Sequence, residues 1–245
     1  MSLPESPPSP FPPIFDAAAL IAELEQFTTV LVHDLKSPLV TVAGFAHLLR
    51  SYVRKQDMAQ ILDAADRIEQ GTRRMSSMLD GLSEYVDVAR DPLDWQDLDL
   101  AALVNEILSG MQTRLAARGV EVQRPSALPT VRADARRLTL ALQHMLRNAV
   151  EHGCREGGVV RLDAESTPDA VRISVSDSGP GIPVELRERI FRLFQRFHPH
   201  ATGPGIGLAT IQRVARLHGG NARVEHPDGG GLRIILEIPN LRVPG

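Results

Sequence analysis

The chain has 245 residues, a net charge of -3 and only 4% aromatic residues, which is enough length for two domains and gives neither a broad basic field nor a stacking platform for nucleic acid. Its single cysteine, Cys154, excludes an intramolecular disulfide framework and a thiolate metal site, and fits a reducing compartment. No run approaches the roughly 18 apolar residues of a membrane span, and the start MSLPESPPSPFPPIF lacks the positive region and apolar block of a secretory signal, so a cytoplasmic protein with an extended, proline-rich lead-in over 1–15 is expected.

From Asp16 the apolar residues Leu20, Leu24, Phe27, Leu31, Leu35, Leu39, Val42 and Phe45 recur three or four positions apart, which predicts a long helix with one apolar stripe. A polar break at Arg54 to Asp57 precedes a second such pattern through Ile61, Ala65, Ile68, Met75, Met78, Leu82 and Tyr85. The short connection implies an antiparallel hairpin over 16–90, and pairing of two hairpins into a four-helix bundle is the natural way to bury both stripes. Pro92 and Trp95 mark a linker over 91–98.

Beyond the linker the pattern changes. A helix from Leu100 to Arg118 is followed by strand-like GVEVQR and TVRAD and by a helix from Asp134 to His152. Strand-like runs at Val159–Ala164 and Ala170–Ser176 come next. A helix at Ile206–His218 and strands near Ala222–Glu225 and Leu232–Ile238 complete a unit over 99–245. Segregated helices and hairpins argue for an α+β sandwich rather than a doubly wound sheet.

Two glycine-rich segments carry the sharpest chemistry. DSGPGIP at Asp177 to Pro183 follows a strand, and GPGIGLAT at Gly203 to Thr210 runs into a helix. Such backbones approach a ligand closely and offer free N–H groups to phosphate. The Gly229–Gly231 cluster reads as a hairpin turn. Gly203, Gly205 and Gly207 fail the context of a dinucleotide fingerprint, and no Walker-type GKS or GKT occurs. Asn148, beside the apolar face of LQHMLRNAVEHG, is either a rim asparagine or an oxygen ligand for magnesium. His33, near the apolar stripe of VLVHDLKSPLV, is either a structural histidine or a nucleophile. Asp34 next to it supplies a carboxylate that holds the imidazole tautomer, and Pro38 removes a helix hydrogen bond one turn on, where the helix is expected to bend or loosen.

HDLKSPL resembles the H box of two-component sensor histidine kinases, LRNAVEHG their N box, DSGPGIP their G1 box, IFRLFQRF their F box and GPGIGLAT their G2 box, all in the family's order over residues 16–240. The resemblance implies a HisKA-type dimerisation and histidine-phosphotransfer hairpin, a homodimer, followed by an α/β sandwich of the GHKL (Bergerat) type that binds ATP and Mg2+. On that resemblance His33 is the phosphoacceptor, Asp34 its neighbouring acid, and Ser37 a candidate for dephosphorylating the regulator. Asn148 is the magnesium ligand, and Asp177 with Gly179 and Gly181 forms the adenine pocket. Gly203, Gly205, Gly207 and Leu208 seat phosphate and hinge a lid anchored by Phe191, Phe194 and Phe197.

Several positions depart from the family pattern. His144 replaces a usual asparagine, so phosphate contacts at the ATP site are weakened or re-routed there. Glu151 stands where a lysine is common. The short segment from His198 to Thr202 carries no Lys or Arg, which leaves Arg192 and Arg196 to meet the γ-phosphate.

The implied activity is autophosphorylation followed by transfer to an aspartate of a separate response regulator, with input from a partner protein. The alternatives are a nucleotide-binding pseudokinase that signals by conformation and an ATPase using water. The second needs a carboxylate base where His144 stands.

Overall fold

The computed structural model describes residues 17–154, 157–187, 189–195, 203–227 and 230–240. Two long helices open the chain, α1 (Ala17–Arg54) and α2 (Met58–Asp87), joined by the polar break expected from the sequence. The turn is made by Gln56 at a φ of 55°, and the Asp57 carboxylate caps α2 by accepting from the Gln60 N–H at 3.2 Å. The helix runs unbroken through Pro38, which is buried. Gly71 of α2 faces that turn, where an added Cβ would stand 2.6 Å from Val42 Cγ2, so the two helices approach closely at this level.

The expected linker over 91–98 is corrected. Trp95–Asp99 is strand β1, which pairs antiparallel with β3 (Thr130–Asp134) from Trp95↔Asp134 to Asp99↔Thr130. The segment before it is clamped by Arg137. That buried guanidinium donates to the carbonyls of Val88, Asp91 and Pro92 and pairs with Asp134, so that all three of its nitrogens are engaged. Proline and tryptophan marked a break in helix pattern, but the polar contacts that tie the break down come from a helix farther along the chain.

Helix α3 (Leu100–Arg118) starts at Asp99, whose carboxylate accepts from the N–H groups of Ala101 and Ala102, and stops at left-handed Gly119. Helix α4 (Ala135–Asn148) is continued by one wider turn over Ala149–Gly153, and α5 spans Gly207–Leu217. The main sheet is ordered β2-β4-β5-β7-β6, from Glu121–Gln123, Val159–Ser166, Ala170–Ser176, Arg233–Pro239 and Asn221–Glu225. Only the β2–β4 pair is parallel. Val171, Ile173 and Val175 of β5 and Ile234, Leu236 and Ile238 of β7 alternate onto one face and share a core with Leu138, Leu142 and Met145 of α4 and Ile211 and Val214 of α5. This is the helices-on-sheet sandwich expected, and it holds α4 and α5 side by side.

A second, smaller core joins the hairpin to this unit. Met78 of α2 packs with Phe194 and Ile206, and Leu31, Leu35, Leu82 and Tyr85 close around them. Among the described residues no helix is long and apolar enough to cross a membrane.

Candidate nucleotide site

The two glycine-rich segments, the end of α4 and the start of α5 surround one cavity of about 440 Å³, and α2 supplies part of its wall. Asp177, at the end of β5, forms the buried end. Its Oδ1 accepts from the N–H groups of Gly179 at 2.9 Å and Leu232 at 3.1 Å. Burial pushes this carboxyl above the ordinary range, against the pull of those two backbone donors. Gly153 and Gly179 make the arrangement possible, because a Cβ on Gly153 would collide with the Asp177 carboxyl and one on Gly179 with the Gly153 carbonyl.

Asn148, Gly181, Gly203, Gly205, Gly207 and Leu208 line the same cavity. The turn that follows Asn148 is tied down from α3, where Arg118 donates to the carbonyls of Val150 at 2.9 Å and Glu151 at 3.0 Å. At the opposite end α5 starts at Gly207 with no side-chain cap, leaving its first N–H groups to a ligand.

His144 also lines the cavity, nearly buried. Arg147 donates to its Nδ1, and an arginine can only donate, so Nδ1 is the acceptor and Nε2 carries the hydrogen. Nε2–H then donates to Glu84 Oε1 of α2 at 2.6 Å. That hydrogen bond, with the nearby positive charge of Arg147, holds the Glu84 carboxyl below its ordinary range although burial opposes it.

Two sequence models match this chain. One, described as the His Kinase A phospho-acceptor domain, matches residues 23–89, and the other, the histidine kinase-, DNA gyrase B- and HSP90-like ATPase, matches residues 133–242. The chain belongs to the two-component sensor histidine kinases. A relative in this family, the methanogenesis regulatory histidine kinase FilI of Methanothrix harundinacea, is 30% identical over 92% of this chain; the chain spans 26% of that protein's length. The structure of full-length ShkA in complex with AMPPNP is 30% identical, covering 88% of this chain and 45% of that one, with a TM-score of 0.59. The histidine kinase ThkA in complex with response regulator TrrA shares the fold over 92% of this chain and 64% of that one, at 22% identity and a TM-score of 0.72.

Within this chain the residues singled out from sequence divide into three groups. Asn148, Asp177, His144 and the glycines Gly181, Gly203, Gly205 and Gly207 meet at one cavity, with Gly179 bonded to the Asp177 carboxylate behind it. Phe194 is buried in the interdomain cluster while Phe191 packs on the main core. Asp34 and Ser37 lie on α1, half-buried and exposed respectively. The side chain of His33 and all of Arg196 and Phe197 fall outside the described residues.

The expected cation Arg192 is corrected. It is exposed and does not line the cavity. Arg114 and Arg147 do, and Arg114 pairs with Glu151 at 3.1 Å. The glutamate at the lysine position is therefore already neutralised by a cation from α3. Sequence reasoning missed Arg114, Arg147 and Glu84. Arg147 adjoins Asn148 in the N box and was open to inspection, whereas Arg114 and Glu84 enter only through packing of α3 and α2.

Proposed function

We propose that this chain is an ATP-dependent, autophosphorylating protein-histidine kinase working as a cytoplasmic homodimer. A ring nitrogen of His33 attacks the γ-phosphorus of Mg-ATP, the bond to the bridging oxygen breaks, and ADP leaves. Asp34 orients the ring and takes its proton. The phosphoryl group then passes to an aspartate of a separate response regulator. Catalysis of this kind is mostly positioning and charge neutralisation.

One observation carries the reading. The cavity that holds Asn148, Asp177 and the glycine segments is walled by α2, and Phe194 at its margin packs with Leu31 and Leu35, the residues that flank His33 on α1. The AMPPNP complex of ShkA and the regulator complex of ThkA support the same roles for nucleotide and regulator.

Asp177 reads the adenine amino group through its second carboxylate oxygen, with Gly179 and Gly181 shaping that end. Gly203, Gly205, Gly207 and Leu208 flank the phosphates, while Phe191, Phe194 and Phe197 anchor the segment that carries them. The donors around Asn148 fit magnesium, which binds through few protein oxygens and keeps waters and substrate phosphates. Asn148 would hold it, and it would neutralise phosphate charge. The hairpin over 16–90 and the unit that begins with β1 at Trp95 are the two working domains. Ser37 is exposed one turn after His33, and its hydroxyl would assist a water in dephosphorylating the regulator.

Incubation of the full chain with γ-labelled ATP and magnesium gives acid-labile protein label that His33→Gln loses completely. Label that persists in the variant removes His33 as acceptor. Nucleotide binding without any label in the parent chain leaves the conformational scaffold as the reading instead.

A further inference from the structure

We propose that Glu84 and a nucleotide phosphate compete for the same seat at His144, and that displacement of the Glu84 carboxylate by phosphate releases the ATP-binding domain from α2. This rests on the cavity being the nucleotide site.

The chemistry of the seat is that of an anion site. His144 Nε2–H donates to the Glu84 carboxylate, Arg147 bonds the ring's other nitrogen and acts on that carboxylate through its charge, and the uncapped start of α5 lies beside the same ring, where an added Cβ on Gly207 would stand 2.9 Å from Nδ1. The anion presently bonded to it is the chain's own. Glu84 reaches in from the hairpin, 60 residues away in sequence, with its side chain 39% exposed against 4% for His144. A half-exposed carboxylate hydrogen-bonded to a buried imidazole costs little to return to water, so it is suited to exchange.

The contacts around the pair explain why exchange would matter for domain position. The same stretch of α2 carries Gly81, where an added Cβ would meet Ile206 Cδ1 at 2.9 Å and Pro204 Cγ at 3.2 Å, and Tyr85, whose ring lies 4.3 Å from the Arg213 guanidinium. Ser77, Asp80 and Glu84 are the polar residues that α2 gives to the cavity wall, beside these apolar and cation-π contacts. Of the three, Glu84 is hydrogen-bonded to His144, a contact that a phosphate would directly contest. Binding and docking then compete, and the docked state lowers apparent nucleotide affinity by the fraction of time the seat is filled.

The test uses the full chain and two probes, a non-hydrolysable ATP analogue and adenosine, with Glu84→Ala and the double variant Glu84→Ala/His144→Ala, which remove the acceptor and the donor outright. Glu84→Ala should bind the analogue about tenfold more tightly while its adenosine affinity stays unchanged, because only phosphate meets the seat. Hydrogen exchange over 77–85 of α2 should rise when the analogue is added to the parent chain and should be high already in Glu84→Ala. In the double variant the gain in analogue affinity should vanish, since the displaced donor is gone.

Equal analogue affinity in parent and Glu84→Ala overturns the proposal while leaving the kinase reading intact. An equal gain for adenosine overturns it too, since that reports general loosening. Should the parent bind neither probe, the nucleotide reading fails first. The exchange data then decide the latch by themselves: unchanged protection over 77–85 in Glu84→Ala rejects it.

Discussion

The hairpin and the ATP-binding domain solve the problem of apolar surface in opposite ways. Every large apolar side chain that stays exposed among the described residues lies on α1 or α2, including Leu39, Val40, Met58 and Leu62. The sheet-and-helix unit leaves none exposed and closes its core on itself. Two helices have too few faces to cover both stripes, whereas the seven strands and three α-helices described for the other unit do not. The ATP-binding domain is therefore built to fold and move as a unit, and the hairpin to be completed by something outside the chain. In the proposed function that completion is a second copy.

The largest effect should come from charging the uncovered stripe. Leu39→Glu with Leu62→Glu, at positions 55% and 60% exposed in the single chain, should convert a dimer to monomers in light scattering. Each leucine buried between copies contributes about 1.5–3 kcal/mol and symmetry doubles every substitution, so the loss is about 6 kcal/mol or more. The same variant should leave nucleotide affinity intact. An unchanged mass would mean that the exposed stripe is not the self-association surface.

A smaller effect should come from the ATP-binding side of the boundary. Arg137→Ala removes a buried cation from Asp134 and abandons the carbonyls of Val88, Asp91 and Pro92. Breaking a buried pair by removing one partner costs about 3–5 kcal/mol. Chemical denaturation should show that loss in the ATP-binding transition, with α2 released from β1 and α4. A loss below about 1 kcal/mol would show that the clamp is incidental to the domain boundary.

These contrasts were unevenly legible in the sequence. Apolar periodicity revealed both hairpin helices and the polar turn between them, because helix faces are written locally in steps of three and four. The glycine segments were legible as candidates because such backbones approach a ligand closely, and Asn148 because its amide oxygen can hold a metal; the fold brings them to one cavity. β1 was not, since WQDLD has little strand pattern and is fixed by pairing with β3 across more than thirty residues of chain. Arg192 was chosen as a cation by nearness in sequence to the glycine segment, yet Arg114 and Arg147 line the cavity because helices bring them there. Glu84 illustrates the same limit most sharply. Nothing local distinguishes it from the other carboxylates of α2 until the domains pack and His144 meets it.

The finest distinction concerns Asp177, where the ATP-binding domain accepts instability for the sake of its site. Burial raises this carboxyl above its ordinary value, so ionising it costs the folded chain more than the unfolded one. A raised acid contributes stability that is fully present below the unfolded value near about 4 and is lost as pH rises through the folded value. Asp177→Asn keeps an oxygen for the Gly179 and Leu232 N–H groups and removes the charge. At neutral pH it should stabilise the domain by about 1–2 kcal/mol while abolishing nucleotide binding, a trade seen where function needs a strained polar group. Thermal melts of parent and variant should coincide near pH 4 and separate as pH rises toward 7. A constant offset across that range would mean that the carboxylate's burial is compensated and that the site exacts no stability from the fold.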